Sequence, residues 1–304
     1  MKPEINEKIS LIGAPLDMAA SLRGCRLGPD AIRLAGIKER LEAIGYQVKD
    51  RGNIPVVNSL DQDRAANNLN HAPKVVQANQ DLYEITNQVM EEGDFPLILG
   101  GDHSVAIGSI KAILRHYPNL GVLWFDAHGD VNTDETTPSG NIHGMPVATL
   151  MGLGAQVLLD IGQEGDPLLK KENIVYIGSR DLDPGERSMI KKLGIKTYTM
   201  HDVDYRGISA VMEEALAYLL EKTDHLHLSF DMDVLDPEVA PGTGTKVPGG
   251  MAYREAHLAL ELLAQTGKLV SAEFVEVNPA LDMENKTAKA AAALAGSLMG
   301  EWLI

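Results

Sequence analysis

Two short runs, Asp126-Ala127-His128-Gly129-Asp130 and Asp231-Met232-Asp233, carry the residue types and spacing in this chain that can do chemistry. Each follows an apolar, strand-like stretch, Val122-Leu123-Trp124-Phe125 in the first case and Leu226 to Phe230 in the second. In extended backbone, residues two apart point to the same side, so Asp126, His128 and Asp130 can converge on one point and Asp231 and Asp233 on another. Five such groups gathered at strand ends repel one another unless cations lie among them. Carboxylates with one or two imidazoles suit a hard or borderline divalent ion such as manganese, and the number of carboxylates suggests two ions.

A D-x-H-x-D run alone is more often a solvated acidic turn, and a D-x-D run is weaker still. What reverses that reading is placement, because a third piece repeats it. Gly100-Gly101-Asp102-His103-Ser104 follows the apolar Phe95-Pro96-Leu97-Ile98-Leu99, so His103 arrives just past another strand end. By itself it reads as a turn histidine. In this company it is a sixth candidate ligand.

The elements needed to hold these groups are visible in the pattern. Strand-like runs are expected at Ile9 to Gly13, near Gln47-Val48, and at Pro96 to Leu99, Gly121 to Phe125, Ile174 to Ile177, Lys196 to Thr199, His225 to Phe230 and Leu269 to Val277. Helical periodicity fills Pro29 to Ile44, Val75 to Glu92, Val105 to His116, Met145 to Met151, Glu186 to Leu193, Ile208 to Lys222, Tyr253 to Gln265 and Lys286 to Met299. Runs such as VLWF are apolar on both faces, the mark of a parallel sheet covered by helices. The alternation predicts α/β architecture, one three-layer αβα domain spanning residues 1–304 with a mainly parallel sheet of about eight strands. Ligands of such sheets bind beyond the carboxyl ends of the strands. The polar stretch Gly52 to His71 reads as a surface loop.

Composition sets limits without choosing an activity. The 304 residues are 44% hydrophobic, enough for one large domain. A single cysteine, Cys25, excludes an internal disulfide and fits a reducing, cytoplasmic setting; it reads as a small residue in a turn, not as a nucleophile. The N-terminus lacks the apolar core of a secretion signal, and no apolar run approaches membrane-spanning length. A formal charge of −16 disfavours nucleic acid and anionic membranes as partners and weakly favours a cationic substrate.

The motifs GGDHS, DAHGDVNT, SGNIHG, SFDMDVLDP and EFVEVNP together resemble the arginase branch of the ureohydrolase family, and the match runs from Gly13-Ala14-Pro15 to the C-terminus. The resemblance implies the arginase/deacetylase-type fold, two Mn²⁺ ions per subunit, homo-oligomers (trimers or hexamers), and hydrolysis of a guanidino group to urea and an amine. It implies one manganese among His103, Asp126, Asp130 and Asp231 and the other among Asp126, His128, Asp231 and Asp233, with Asp126 and Asp231 bridging and a hydroxide between the ions as nucleophile. It implies that Glu276 pairs with the guanidinium and that Asp130 accepts a proton after attack. It also makes His143, otherwise a loop histidine, a proton shuttle with an ordinary pKa of about 6.5. For the substrate's amino-acid end it implies Asn132, Ser139 and Asn141 at the carboxylate, Asp183 at the ammonium, and Thr245 and His128 in the pocket. These point to L-arginine. Lys246, where relatives usually carry proline, and the acidic pair Asp134-Glu135 depart from the pattern without touching a ligand.

Three other readings compete. An agmatinase or formimidoylglutamase would share the metals without the amino-acid clamp. A non-catalytic binding protein has no need of the full ligand set with His143 and Glu276. A single-zinc deacetylase of the same fold is disfavoured by six ligands.

Overall fold

The computed structural model describes residues 7–57 and 69–302. Eight strands form one sheet: β1 (Lys8–Ala14), β2 (Gln47–Asn53), β3 (Phe95–Gly100), β4 (Leu120–Phe125), β5 (Ile174–Ser179), β6 (Lys196–Thr199), β7 (His225–Asp231) and β8 (Leu269–Val275). Their order is β2-β1-β3-β8-β7-β4-β5-β6, and every pairing is parallel. The expected α/β sheet is therefore present and entirely parallel.

Period-two alternation sends neighbouring residues into different cores. On β4, Leu123 and Phe125 join one hydrophobic cluster while Val122 and Trp124 join another. The first cluster packs under α1 (Gly28–Leu34), α2 (Ile37–Ala43), α8 (Met200–Arg206), α9 (Ile208–Leu220), α10 (Tyr253–Gln265) and α11 (Lys286–Leu298). The opposite face is covered by α3 (Ala72–Glu91), α4 (Ala106–His116), α5 (Pro146–Leu150), α6 (Gln156–Leu159) and α7 (Pro184–Leu193). Three layers follow.

Some boundaries differ from the sequence expectation. The single helix expected over 29–44 is two, broken where Gly36 takes a left-handed φ of 84°. That conformation is cheap for glycine and stops the helix. Strand β2 runs on to Asn53, into the stretch expected to be loop, and residues 58–68 of that stretch lie outside the described residues. Helix α8 was not expected, because MHDVDYR is polar; a Thr199–Asp202 capping box starts it.

Register carries the site. Phe125 pairs with Phe230, and Phe230 with Phe274, so the carboxyl ends of β4, β7 and β8 are level. Their rings meet at 5.3 Å (stacked) and 5.5 Å (tilted) as an apolar layer beneath the edge. The residues that follow, Asp126, Asp231 and Glu276, thus emerge side by side. Strand β3, beside β8, turns through Gly101, where any Cβ would fall 1.8 Å from the Leu16 carbonyl oxygen. Only glycine fits, and the turn delivers His103 to the same edge.

Candidate active site

His103 Nδ1 lies 3.1 Å from Asp126 Oδ2, 3.1 Å from Asp130 Oδ2 and 3.2 Å from Asp231 Oδ2. A second group is centred on His128 Nδ1, 3.1 Å from Asp233 Oδ2 and 3.4 Å from Asp126 Oδ1. Asp126 belongs to both, offering one oxygen to each side, whereas Asp231 faces the first. The six side chains expected to converge do so.

Backbone and side-chain donors also reach these carboxylates. His128 N–H donates to Asp126 Oδ1 at 2.7 Å, Asp233 N–H to Asp231 Oδ1 at 2.7 Å, and Ala127 N–H to Asp233 Oδ1 at 3.2 Å. Thr245 donates its hydroxyl to Asp233 Oδ2 at 2.8 Å. Asp130 and Glu276 sit at left-handed φ values of 48° and 62°. Such backbone costs roughly 1–3 kcal/mol for a non-glycine residue and persists only where the surroundings enforce it.

His103 shows what the cluster can hold. Ser229 donates its only hydrogen to Glu273 Oε1 at 2.7 Å, so at 2.8 Å from His103 Nε2 it must accept. Nε2 therefore carries a proton, and Nδ1 faces three carboxylates. Nδ1 is buried and makes a hydrogen bond with none of them. The ring is fixed further by stacking on Trp124 at 4.1 Å, whose indole N–H donates to Asp126 Oδ2 at 3.0 Å. Burial, then the charges of Asp233 and Asp126, drive Asp231 well above the usual carboxylate range. Burial and Asp126 push Asp130 up to about 6. The cluster gathers buried carboxylates and imidazole nitrogens within reach of one another. That donor set fits divalent cations.

Glu276 stands beside this floor. Its Oε1 accepts from the His103 backbone N–H at 3.0 Å and lies 3.2 Å from His143 Nδ1, and Cys25 donates Sγ–H to Oε2 at 3.2 Å. Burial opposes the charge on Glu276, yet His143 holds its pKa down; burial likewise opposes the imidazolium, which Glu276 raises to about 9. Burial and then Glu276 push the Cys25 thiol well up, which keeps it a neutral donor, in keeping with its reading as no nucleophile.

A pocket of about 420 Å³ opens above, with His128, Asp130, His143, Asp231 and Glu276 inside and Asn132, Ser139, Asn141, Asp183 and Thr245 around it. All the residues expected at the substrate are there except that Asn132 and Asp183 are already engaged with each other, Nδ2 to Oδ2 at 2.7 Å. Asp183 also caps α7 through Oδ1.

Sequence reasoning missed several participants. Glu186 accepts the Gly129 and Asp130 N–H groups on Oε1, at 3.2 and 2.8 Å, and so holds the Asp130 turn; burial and Asp130 raise its pKa to about 7. Its signal was the capping box Asp183-Pro184-Gly185-Glu186. Thr137 and Ser21 line the rim without any such signal. Ser229 and Glu273 lie fully buried on β7 and β8 beneath the cluster. His227 is buried, its Nδ1 2.8 Å from Ser271 Oγ.

Residues 7–300 match the family model described as the arginase family. The chain is 52% identical to an arginase of Bacillus caldovelox over the full length of both, and superposes on that enzyme's native structure with a TM-score of 0.94. It is 51% identical to the arginase of Bacillus subtilis strain 168, with 99% of this chain and all of the relative covered. A formimidoylglutamase structure from Bacillus subtilis shares the fold at 26% identity and a TM-score of 0.79, covering 98% of this chain and 88% of its own.

Proposed function

The chain belongs to the arginase family, and from that premise we propose that it hydrolyses L-arginine to L-ornithine and urea with two manganese ions in its strand-end cluster. The observation that carries this reading is the buried His103 Nδ1 facing Asp126, Asp130 and Asp231, beside a second group that shares Asp126. His103, Asp126, Asp130 and Asp231 would hold one ion, and Asp126, His128, Asp231 and Asp233 the other. Bound there, such ions lower the pKa of water toward neutrality, which matters because a guanidinium carbon is a poor electrophile.

The chain's own residues supply orientation and proton movement. Glu276, kept charged and aimed by His103 N–H and His143, accepts guanidinium N–H bonds and fixes the carbon over the cluster. Asp130 takes a proton on its carboxylate. His143, 3.2 Å from Glu276 and bordering the pocket, holds a proton for the departing amine. At the other end, Asp183 accepts from the substrate's α-ammonium, and Asn132, Ser139 and Asn141 surround its carboxylate.

Membership of this family and about 50% identity to arginases favour arginine over the agmatinase and formimidoylglutamase alternatives. Homo-oligomers, trimers or hexamers, and a cytoplasmic setting belong to the same proposal; no helix among the described residues is long and apolar enough to cross a membrane. The test is urea release from arginine and from agmatine, with and without manganese preincubation. Manganese-dependent urea from arginine is expected, and a fully active preparation carrying one tightly bound zinc would sink the reading.

A further inference from the structure

Asn141 is held from both sides by residues that neither touch the cluster nor belong to its own loop. Asn70 donates Nδ2 to the Ser139 carbonyl at 3.2 Å and to Asn141 Oδ1 at 2.8 Å. Its backbone N–H donates to the Gly140 carbonyl at 2.9 Å. Across the pocket mouth, Asn141 Nδ2 donates to Ser21 Oγ at 2.7 Å.

The chemistry of these partners fixes the orientation of Asn141. A peptide carbonyl only accepts, so the Asn70 atom facing Ser139 must be its NH₂. The same NH₂ faces Asn141, whose near atom must then be the carbonyl oxygen. The Asn141 NH₂ is thereby turned toward Ser21 and the pocket. It has a second hydrogen, and Ser21, having accepted, still has its own to give. Two donors are presented at one rim position, where the opposite amide orientation would present an acceptor. A carboxylate can only accept when ionised, so the two orientations differ in sign of interaction.

We propose that Asn70, as a positioning residue, and Ser21, as a second donor, clamp the Asn141 carboxamide donor-side inward and so set the preference for substrates bearing an α-carboxylate. The inference rests on the reading of Asn141 as a carboxylate contact. Asn70 does this through Asn141 without touching substrate. Ser21 acts both as the second jaw and as a pocket wall.

The experiment is steady-state kinetics on the manganese-loaded enzyme with Asn70→Ala, Ser21→Ala, Ser21→Thr and Asn141→Ala, each with metal content measured. Asn70→Ala and Ser21→Ala should each raise KM for L-arginine about 3- to 10-fold, the worth of a neutral hydrogen bond, with kcat and manganese content little changed. Ser21→Thr keeps the hydroxyl and should stay near the parent KM. A fall in arginine-over-agmatine preference should accompany each rise. If Asn70→Ala loosens the loop at large, Ser21→Ala still decides. Parent-like KM in Asn70→Ala and Ser21→Ala, with a raised KM in Asn141→Ala, overturns the clamp and leaves the carboxylate reading standing. A parent-like Asn141→Ala sinks both.

Discussion

The floor and the rim of the pocket are built in different ways. On the floor, His103, Asp126 and Asp231 are held by strand register, each within a few residues of a buried parallel strand, and the two carboxylates also accept from local backbone N–H groups. At the rim, side chains from separate loops hold one another in pairs, Asn132 with Asp183 and Asn141 with Ser21 and Asn70. A floor residue is placed by the sheet. A rim residue is placed by its neighbours. Disturbing the floor should therefore remove chemistry outright, and disturbing the rim should change which molecule is chosen.

The largest effect expected is at the shared ligand. Asp126→Ala removes an oxygen from each cation group at once, and manganese content and urea release should both fall to background together. Retention of one tightly held ion would show that Asp126 serves one group only. Next comes the rim at full strength: arginine should exceed agmatine in kcat/KM by roughly 10³ or more, because polar groups arranged for a carboxylate are left unpaired without it. Comparable values would mean the rim does not select. His143 belongs to neither wall by construction, so His143→Ala should cut turnover on the order of 10²- to 10⁴-fold while manganese content stays at the parent level. A parallel loss of metal would move His143 to the floor. The smallest of these is Glu273→Gln. An amide in that place lets Ser229 turn its hydrogen toward His103 Nε2 and so shifts the ring proton to Nδ1. Manganese affinity should drop about 10- to 100-fold, recoverable at higher manganese, as for other outer-shell partners of a metal-binding histidine. An unchanged affinity would leave Ser229 alone as the orienting group.

The same contrast explains what could be read in advance. The floor was legible because period-two spacing and apolar runs are local: Asp126, His128 and Asp130 follow VLWF, and Asp231 and Asp233 follow LHLSF. The central strands were placed within a residue or two for the same reason. Helix breaks were less legible. Gly36 interrupts a pattern that stays amphipathic on both sides, and α8 starts from a capping box, not from apolar periodicity. At the rim, nothing in the sequence around Asn70 or Ser21 announces that they meet Asn141, 71 and 120 residues away. Glu186 lies between these cases, since its capping box could be read but its grip on Asp130 could not.

The level ends of β4, β7 and β8 also bear on how the protein matures. The ligands at 103, 126–130 and 231–233 lie far apart along the chain, and β7, which lies between β4 and β8, brings the last of them to the edge. Before β7 is in place neither cation group is complete, because Asp231 and Asp233 are still missing from them. Such distant pairing closes long loops before any contact rewards it, which places ion uptake late in folding. Ions that bind the finished fold and not the open chain then act as a latch, holding the completed sheet by mass action.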